Sequence, residues 1–197
     1  IDLSNDFRLQ EQCTIFDMKF IYGLPELNGE KIRTAKAIAN PGCFATAIQL
    51  GLLPLAQRGL LKDIYTTGIT GSTGAGQALS ATSHFSWRAN NIQAYKTLTH
   101  QHLGEINQSI HQLQQNPAVE ISFVPWRGDF TRGIFVSSTV TVDLSQQELT
   151  QLYTAFYEGH PFTRITETSI FLKQVVNTNN AVIQLEKVGN KLVVHSA

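Results

Sequence analysis

A Pro-Gly pair at residues 41 and 42 joins two apolar segments and constrains the fold more than any other feature of the sequence. The apolar run 35–39 before the pair predicts a short buried strand, and the apolar run 45–56 after it predicts a helix. Pro and Gly in succession favour a sharp turn. The sequence therefore predicts a strand–turn–helix unit in which Cys43 stands at the beginning of the helix.

That position leaves two alternatives for Cys43. The unpaired N–H groups and the positive dipole end of a helix N-terminus stabilise a thiolate over a thiol. The same N–H groups could bind the oxyanion that forms when the thiolate attacks a carbonyl. A lone cysteine is otherwise a small buried apolar side chain. The turn favours a nucleophile, but the residues around it do not decide between the two.

The composition excludes several classes of partner. Hydrophobic residues make up 42% of the 197 residues and charged residues 15%, which is typical of a globular chain with an apolar core. The formal net charge is zero and no basic cluster occurs, so neither nucleic acid nor an anionic membrane is favoured as a partner. No apolar run approaches the ~20 residues that span a bilayer. Two cysteines are too few for a disulfide scaffold, which favours a reducing, cytoplasmic location.

Hydrophobic periodicity predicts the fold class. Helices are expected from the apolar faces of 103–113 and 149–156, the second after a capping box formed by Ser145 and Glu148. The expected strands are 64–69, 119–124, 134–142, 170–176, 181–187 and 191–195, with a tight hairpin turn at Gly189-Asn190. Strands and helices do not alternate regularly. The prediction is therefore an α+β fold with a mixed, largely antiparallel sheet that helices cover on one face.

Three further segments contain candidate functional residues. The Gly-rich stretch 70–76 could bring its backbone close to a ligand or bind an anion, with a plain flexible turn as the alternative. His100-Gln101-His102 precedes a helix without a third metal ligand at a recognisable spacing, so we predict no metal and a general base instead. The loop predicted over 125–133 contains Arg127 and Arg132, whose guanidinium groups could bind a phosphate or a carboxylate, with solvated surface groups as the alternative.

Six motifs together resemble one known family. The chain carries, in the family's order, Ile1–Arg8, Tyr22–Glu26, Asn40–Thr46, Gly71–Gly76, His100–Ile106 and Thr131–Ile134. This combination resembles the N-acetyl-gamma-glutamyl-phosphate reductases of arginine biosynthesis and covers essentially the whole chain. Gln101 and Gly104 replace an arginine and a proline that are usual in that family.

The resemblance implies a reaction. An NADPH-dependent reductase would convert N-acetyl-gamma-glutamyl phosphate to N-acetylglutamate semialdehyde and phosphate through a thioester on Cys43, with His100 as the acid–base group. The substrate-binding residues are expected to be Arg8, Asn40, Tyr95 and Arg132. The nicotinamide end of NADP is expected to contact Thr70, Gly71 and Gly74. No metal is implied.

The resemblance also implies a domain organisation. Residues 1–30 would be the residual end of a nucleotide-binding domain with its connector, and residues 31–197 would form the catalytic and dimerisation domain. The latter would resemble the C-terminal domain of glyceraldehyde-3-phosphate dehydrogenase. An N-terminal Rossmann domain that binds most of the NADP is expected outside this chain. A homo-oligomer, either dimer or tetramer, is expected.

Other functions remain open at this point. An aspartate-semialdehyde type of dehydrogenase, or a reductase for another N-acyl group, would use the same nucleophile on a different acyl phosphate. A Cys–His pair with an oxyanion site could also serve a hydrolase or acyltransferase without a cofactor. A non-catalytic module would need no reactive thiol at all, and slow alkylation of Cys43 would identify it.

Overall fold

A computed structural model describes residues 1–115 and 119–197. The helices are α1 Pro25–Arg33, α2 Cys43–Gln57, α3 Phe85–Arg88, α4 His102–Leu113 and α5 Gln146–Phe156. The strands are β1 Thr14–Ile15, β2 Met18–Tyr22, β3 Ala37–Ala39, β4 Asp63–Thr70, β5 Gln93–Ala94, β6 Glu120–Arg127, β7 Ile134–Thr141, β8 Thr163–Thr166, β9 Ala181–Val188 and β10 Lys191–Ser196. Short 3-10 turns lie at Gln10–Gln12, Ser72–Ala75, Ala81–Ser83 and Leu172–Gln174.

Seven strands form the main sheet in the order β5-β6-β4-β7-β10-β9-β8. Of its six neighbouring pairs, β4–β6 and β8–β9 are parallel and the other four are antiparallel. The hairpin between β9 and β10 turns at Gly189-Asn190, as predicted. The predicted mixed, largely antiparallel sheet is confirmed.

Helices cover one face of this sheet, and the other face is open. Along β4 the side chains of Ile64 and Thr66 are buried, whereas those of Tyr65 and Thr67 are exposed. The buried side packs against α2, which is apolar on nearly all sides. Burial of apolar surface stabilises a fold by roughly 25 cal/mol per Å², so α2 is the central element of the core.

A small three-stranded sheet in the order β1-β2-β3 leads into the Pro-Gly turn. Strands β2 and β3 are parallel, and Asp2 forms an isolated bridge with Ala39 at the end of β3. The helix α2 then begins at Cys43, which confirms the predicted strand–turn–helix unit. Helix α1 crosses residue 30, and the predicted domain division there stays a prediction.

Two local predictions were wrong. Segment 170–176 contains a 3-10 turn instead of a strand, because Phe171 N–H donates to the Gln174 side chain and the local chain closes on itself. The loop predicted over 125–133 begins only after Arg127, because β6 continues to that residue. Within β6, Pro125 pairs with Gly68 of β4. No helix in residues 1–115 or 119–197 is long and apolar enough to cross a membrane.

Candidate active site

Cys43 opens onto a cavity of about 480 Å³ at the N-terminus of α2. The α4 N-terminus, the Gly-rich loop and the segment 88–96 form its other walls. Eight of the nine residues predicted from the sequence line it: Arg8, Asn40, Cys43, Thr70, Gly71, Gly74, Tyr95 and His100. The fold thus brings together residues that are separated by up to 92 positions in the chain, from Arg8 to His100.

Arg132 is the predicted residue that does not line the cavity. Its side chain is exposed, and only its backbone N approaches the site, where it lies behind Gly71. A Cβ on Gly71 would lie 2.6 Å from Thr131 O, so a side chain at this position would collide with the backbone of the neighbouring loop. The expected substrate-binding role of Arg132 stays a prediction without support from the cavity.

Three cationic residues outside the nine expected site residues also line the cavity: Arg88, Lys96 and Arg127. Arg127 lies over the Tyr95 ring, 4.4 Å from its centroid, and donates to Thr82 Oγ1 at 2.6 Å. It reaches the site because β6 is parallel to β4 and pairs it with Thr70 at the carboxyl end of both strands. Only that pairing, which the sequence does not reveal, distinguishes Arg127 from Arg132 as the guanidinium that faces the cavity.

The cavity is strongly cationic. Four of its lining residues carry a guanidinium or ammonium group, namely Arg8, Arg88, Lys96 and Arg127, and none of the described residues that line it is an Asp or Glu. Arg8 is held in place by its Nε, which donates to Asn40 O at 2.8 Å. Such a wall favours an anionic ligand, because clefts lined by one sign of charge concentrate the opposite sign.

The Cys43 sulfur is accessible from the cavity, yet protein atoms surround it on most sides. This burial raises the pKa of the thiol above its ordinary value. The N–H groups of Phe44 and of Cys43 itself, and then the charge of Arg8, lower the pKa in the opposite direction without cancelling the effect of burial. The N–H groups of the turn favour the thiolate as expected, but in the unliganded chain the effect of burial on the pKa of Cys43 is larger.

The two histidines of the His-x-His motif lie in contact at the cavity wall. Their ring centroids are 4.6 Å apart, and both side chains are buried. Burial lowers the pKa of His100 to about 4, aided by the neighbouring His102 and by the charge of Lys96. Burial likewise lowers the pKa of His102 to about 4, aided by Arg8 and Lys96. Both imidazoles are therefore neutral at pH 7.

Hydrogen bonding distinguishes the two rings. His100 Nδ1 accepts from the backbone N–H of His102 at 3.2 Å, so the proton of the neutral ring sits on Nε2. His102 Nδ1 is buried without a hydrogen-bond partner, and its Nε2 lies 3.9 Å from Glu105 Oε1. His100 thus presents an N–H donor, whereas His102 packs against the turn that carries Cys43.

The Gly-rich loop contributes a flat surface more than an anion cradle. The N–H groups of Gly71, Ser72 and Thr73 donate to carbonyls of the segment 130–133 and are not free for a ligand. Gly71 and Gly74 line the cavity with backbone atoms alone; a side chain on Gly71 would be directed at Thr131 and one on Gly74 would approach Thr70 Oγ1. The loop therefore permits close approach of a planar group to the surface beside Cys43.

Comparison with known families decides the class of the chain. Residues 43–197 match the family described as semialdehyde dehydrogenase, dimerisation domain. The chain belongs to this family. The region that matches the semialdehyde dehydrogenase family begins at Cys43, which is also the first residue of α2.

Curated relatives resemble the whole chain. It is 52% identical over 197 residues to the N-acetyl-gamma-glutamyl-phosphate reductase of Flavobacterium johnsoniae, covering 100% of this chain and 61% of that protein. It is 54% identical to the protein of the same name from Phocaeicola vulgatus, covering 100% of this chain and 60% of the relative. The chain therefore spans about 60% of the length of the curated relatives that it matches.

Solved semialdehyde dehydrogenases share the fold. Aspartate semialdehyde dehydrogenase II from Vibrio cholerae superposes with a TM-score of 0.70 at 14% identity, covering 99% of this chain and 65% of that one. The enzyme from Francisella tularensis gives a TM-score of 0.71 at 11% identity, covering 99% and 68%. At these identities the likeness concerns the architecture alone.

Proposed function

We propose that this chain is the catalytic and dimerisation part of an N-acetyl-gamma-glutamyl-phosphate reductase. It would reduce the acyl phosphate to N-acetylglutamate semialdehyde with release of phosphate, using NADPH. Relatives with this name are 50–54% identical over the whole chain. The observation that carries the proposal is Cys43 at the first turn of α2, facing a cavity with four cationic side chains.

The charge of the cavity fits that substrate class. An acyl phosphate with an α-carboxylate carries two anionic groups, and guanidinium groups bind both kinds of group with paired N–H donors. Arg8 and Arg127 stand on different elements and are each oriented by a hydrogen bond to the protein. Asn40 and Tyr95, which accompany them in the wall, are the proposed uncharged contacts.

In the acylation step, Cys43 Sγ forms a bond to the acyl carbon while the bond from that carbon to the phosphate oxygen breaks. The thiol proton leaves with the phosphate, so a neutral thiol and an acyl phosphate give a thioester and hydrogen phosphate. A covalent thioester divides one difficult displacement into two easier steps. The raised pKa of Cys43 makes proton removal part of the step, and cationic side chains around the phosphate favour it.

His100 is the proposed acid–base group. Its Nε2–H, fixed by the hydrogen bond that Nδ1 accepts, can donate to the substrate carbonyl oxygen as negative charge develops there. Positioned donors of this kind contribute by factors of about 10² to 10⁴.

The proposed cofactor fits the glycine wall. The backbone of Gly71 and Gly74, with Thr70 beside them, leaves room for the flat nicotinamide ring next to Cys43. When bound, NADPH supplies the hydride that reduces the acyl group to the aldehyde level. The chain's own contribution is to keep a surface free of side chains at this place.

The proposal includes a domain organisation, a dimer and a cellular location. Residues 1–30 would form the end of a nucleotide-binding domain and its connector, and residues 31–197 the catalytic and dimerisation domain. The open face of the main sheet, where Tyr65 is 61% exposed, would pack against a second copy of the chain. A cytoplasmic location is part of the proposal.

Mass spectrometry tests this function. After the chain is mixed with N-acetyl-gamma-glutamyl phosphate, we expect the acyl mass on the peptide that contains Cys43. A version extended to the length of its relatives should then oxidise NADPH with that substrate and not with aspartyl phosphate. Rapid phosphate and acid release without NADPH would instead support a hydrolase and overturn the proposal.

A further inference from the structure

One buried carboxylate beneath the nucleophile plays no part in the steps above. Glu105, in the first turn of α4, is 3% exposed. Its Oε2 accepts hydrogen bonds from Gly42 N at 2.8 Å and from Tyr22 OH at 2.9 Å. Its Oε1 lies 3.3 Å from Arg8 Nη1 and 3.9 Å from His102 Nε2. A single side chain therefore contacts the turn, one lining cation and one imidazole.

Tyr22 extends these contacts into the core. Its hydroxyl accepts a hydrogen bond from Gln49 Nε2 at 2.8 Å, and Gln49 is a fully buried residue of α2. Burial, and next the charge of Glu105, raise the pKa of Tyr22, so its hydroxyl remains protonated and donates to the carboxylate. The Gln49 amide donates to the Tyr22 hydroxyl, which donates to the Glu105 carboxylate, and this carboxylate also accepts from Gly42 N.

We infer that Gln49, Tyr22 and Glu105 are positioning residues for the turn that carries Cys43. The inference rests on the proposed function in one respect, because it takes Cys43 as the nucleophile. None of the three side chains lines the cavity, so each acts through Gly42 or its neighbours.

Contacts of Gly42 with Glu105 and His102 hold the turn that precedes Cys43. Gly42 is the N-cap of α2, and its N–H, which precedes the helix, has Glu105 as its acceptor. A Cβ on Gly42 would lie 2.6 Å from His102 Cδ2, so the imidazole occupies the space where a side chain would be. The carboxylate and the ring thus orient the peptide before Cys43, and with it the N–H groups that face the sulfur.

Two nearly isosteric substitutions separate the parts of this network. Tyr22→Phe keeps all charges but removes the donor to Glu105 and leaves Gln49 Nε2 without its acceptor. Glu105→Gln keeps an oxygen for Gly42 N–H and Tyr22 OH but removes the charge and places an amide donor against Arg8 Nη1. We expect acylation of Cys43 by acetyl phosphate to slow about 3- to 10-fold in the first variant and about 10- to 100-fold in the second.

The pH profile of alkylation gives a readout that a purely structural role would not move. In a Cys13→Ser background, iodoacetamide reports the ionisation of Cys43. The charge of Glu105 raises the pKa of Cys43, so Glu105→Gln should shift the alkylation midpoint to lower pH, whereas Tyr22→Phe should leave it unchanged. A thiol that ionises more readily yet is acylated more slowly indicates lost positioning. An unshifted midpoint with a parallel loss of thermal stability would overturn the inference.

A double-variant cycle completes the experiment. Because Tyr22 acts through Glu105, Tyr22→Phe should slow the Glu105→Gln variant by less than 2-fold, whereas multiplied effects would contradict the network. The matched control is Glu30→Gln, at a side chain 89% exposed, and it should retain wild-type rates. If no acyl phosphate acylates the wild-type chain, the proposed function fails, and the alkylation midpoints alone decide the role of Glu105.

Discussion

The surroundings of the two cysteines differ in almost everything except a nearby arginine. Arg8 lines both the cavity at Cys43 and a second one, of about 390 Å³, that contains Cys13. Cys13 follows the 3-10 turn Gln10–Gln12, and its thiol donates to Gln10 O at 3.2 Å. No histidine lines its cavity among the described residues.

Cys43, in contrast, stands at the start of a helix of 15 residues, with backbone N–H groups directed at its sulfur. His100 and His102 line the same cavity. A nearby cation is therefore not what distinguishes a candidate nucleophile. The difference lies in preorganised N–H donors and in imidazoles that line the same cavity as the thiol.

Replacement of each cysteine gives the largest expected contrast. Cys43→Ser should lower acylation by a factor of about 10⁴ or more while the fold survives, because a hydroxyl is a far weaker nucleophile than a thiol. The measurement is the acyl mass on the Cys43 peptide and NADPH oxidation by a version extended to the length of the relatives. Inactivation by Cys13→Ser instead would show that the nucleophile is wrongly assigned.

The next largest effects are expected from replacing the two histidines of the cavity that contains Cys43. His100→Asn should lower turnover by a factor of about 10² to 10⁴, the usual range for an acid–base group. His102→Asn should cost less, because that ring packs on Gly42 and its Nε2 faces Glu105. Steady-state rates of both variants provide the test. A larger loss for His102→Asn would transfer the acid–base role to His102.

The cationic wall should act mainly on substrate binding. Arg127→Gln should raise the KM for the acyl phosphate about 10- to 100-fold, because charge-assisted hydrogen bonds contribute about 1.5–3 kcal/mol. Arg132→Gln is the matched control and should leave KM unchanged, since Arg132 does not line the cavity. Equal effects of the two substitutions would restore the substrate-binding role that the sequence suggested for Arg132.

The neutral imidazoles also predict how stability depends on pH. His100 and His102 titrate near 4 in the folded chain and near 6.5 when unfolded, so the unfolded state binds more protons between these values. Stability should therefore fall as the pH decreases from 6.5 to 4, by about 1–3 kcal/mol for each ring. Thermal unfolding at several pH values measures it. If His100→Asn did not flatten the dependence, the ring would not be buried in its neutral form.

The smallest effect is expected at the other cysteine. Cys13→Ser should change the free energy of unfolding by less than about 0.5 kcal/mol and leave rates unchanged, because the residue is partly exposed and makes one backbone hydrogen bond. Denaturant unfolding of this variant checks it. A destabilisation above 2 kcal/mol would mean that the segment around Cys13 supports the site more than its contacts suggest.

Local patterns in the chain were enough to place its main elements. Helix α2 follows from a Pro-Gly turn and an apolar run, and α5 from the capping box of Ser145 and Glu148, which the structure contains. The Gly189-Asn190 hairpin is likewise a local feature. These predictions succeeded because their causes, turn chemistry and hydrophobic periodicity, act between residues within a few positions of each other.

The tertiary structure alone decided which charged side chains surround Cys43. Arg127 enters the cavity because β6 lies parallel to β4, and Arg132 stays outside although its spacing looked equally favourable. Glu105 meets Arg8 across 97 residues of sequence, and no periodicity encodes that contact. Strand register and the packing of distant helices set such distances, and both depend on the whole core folding at once.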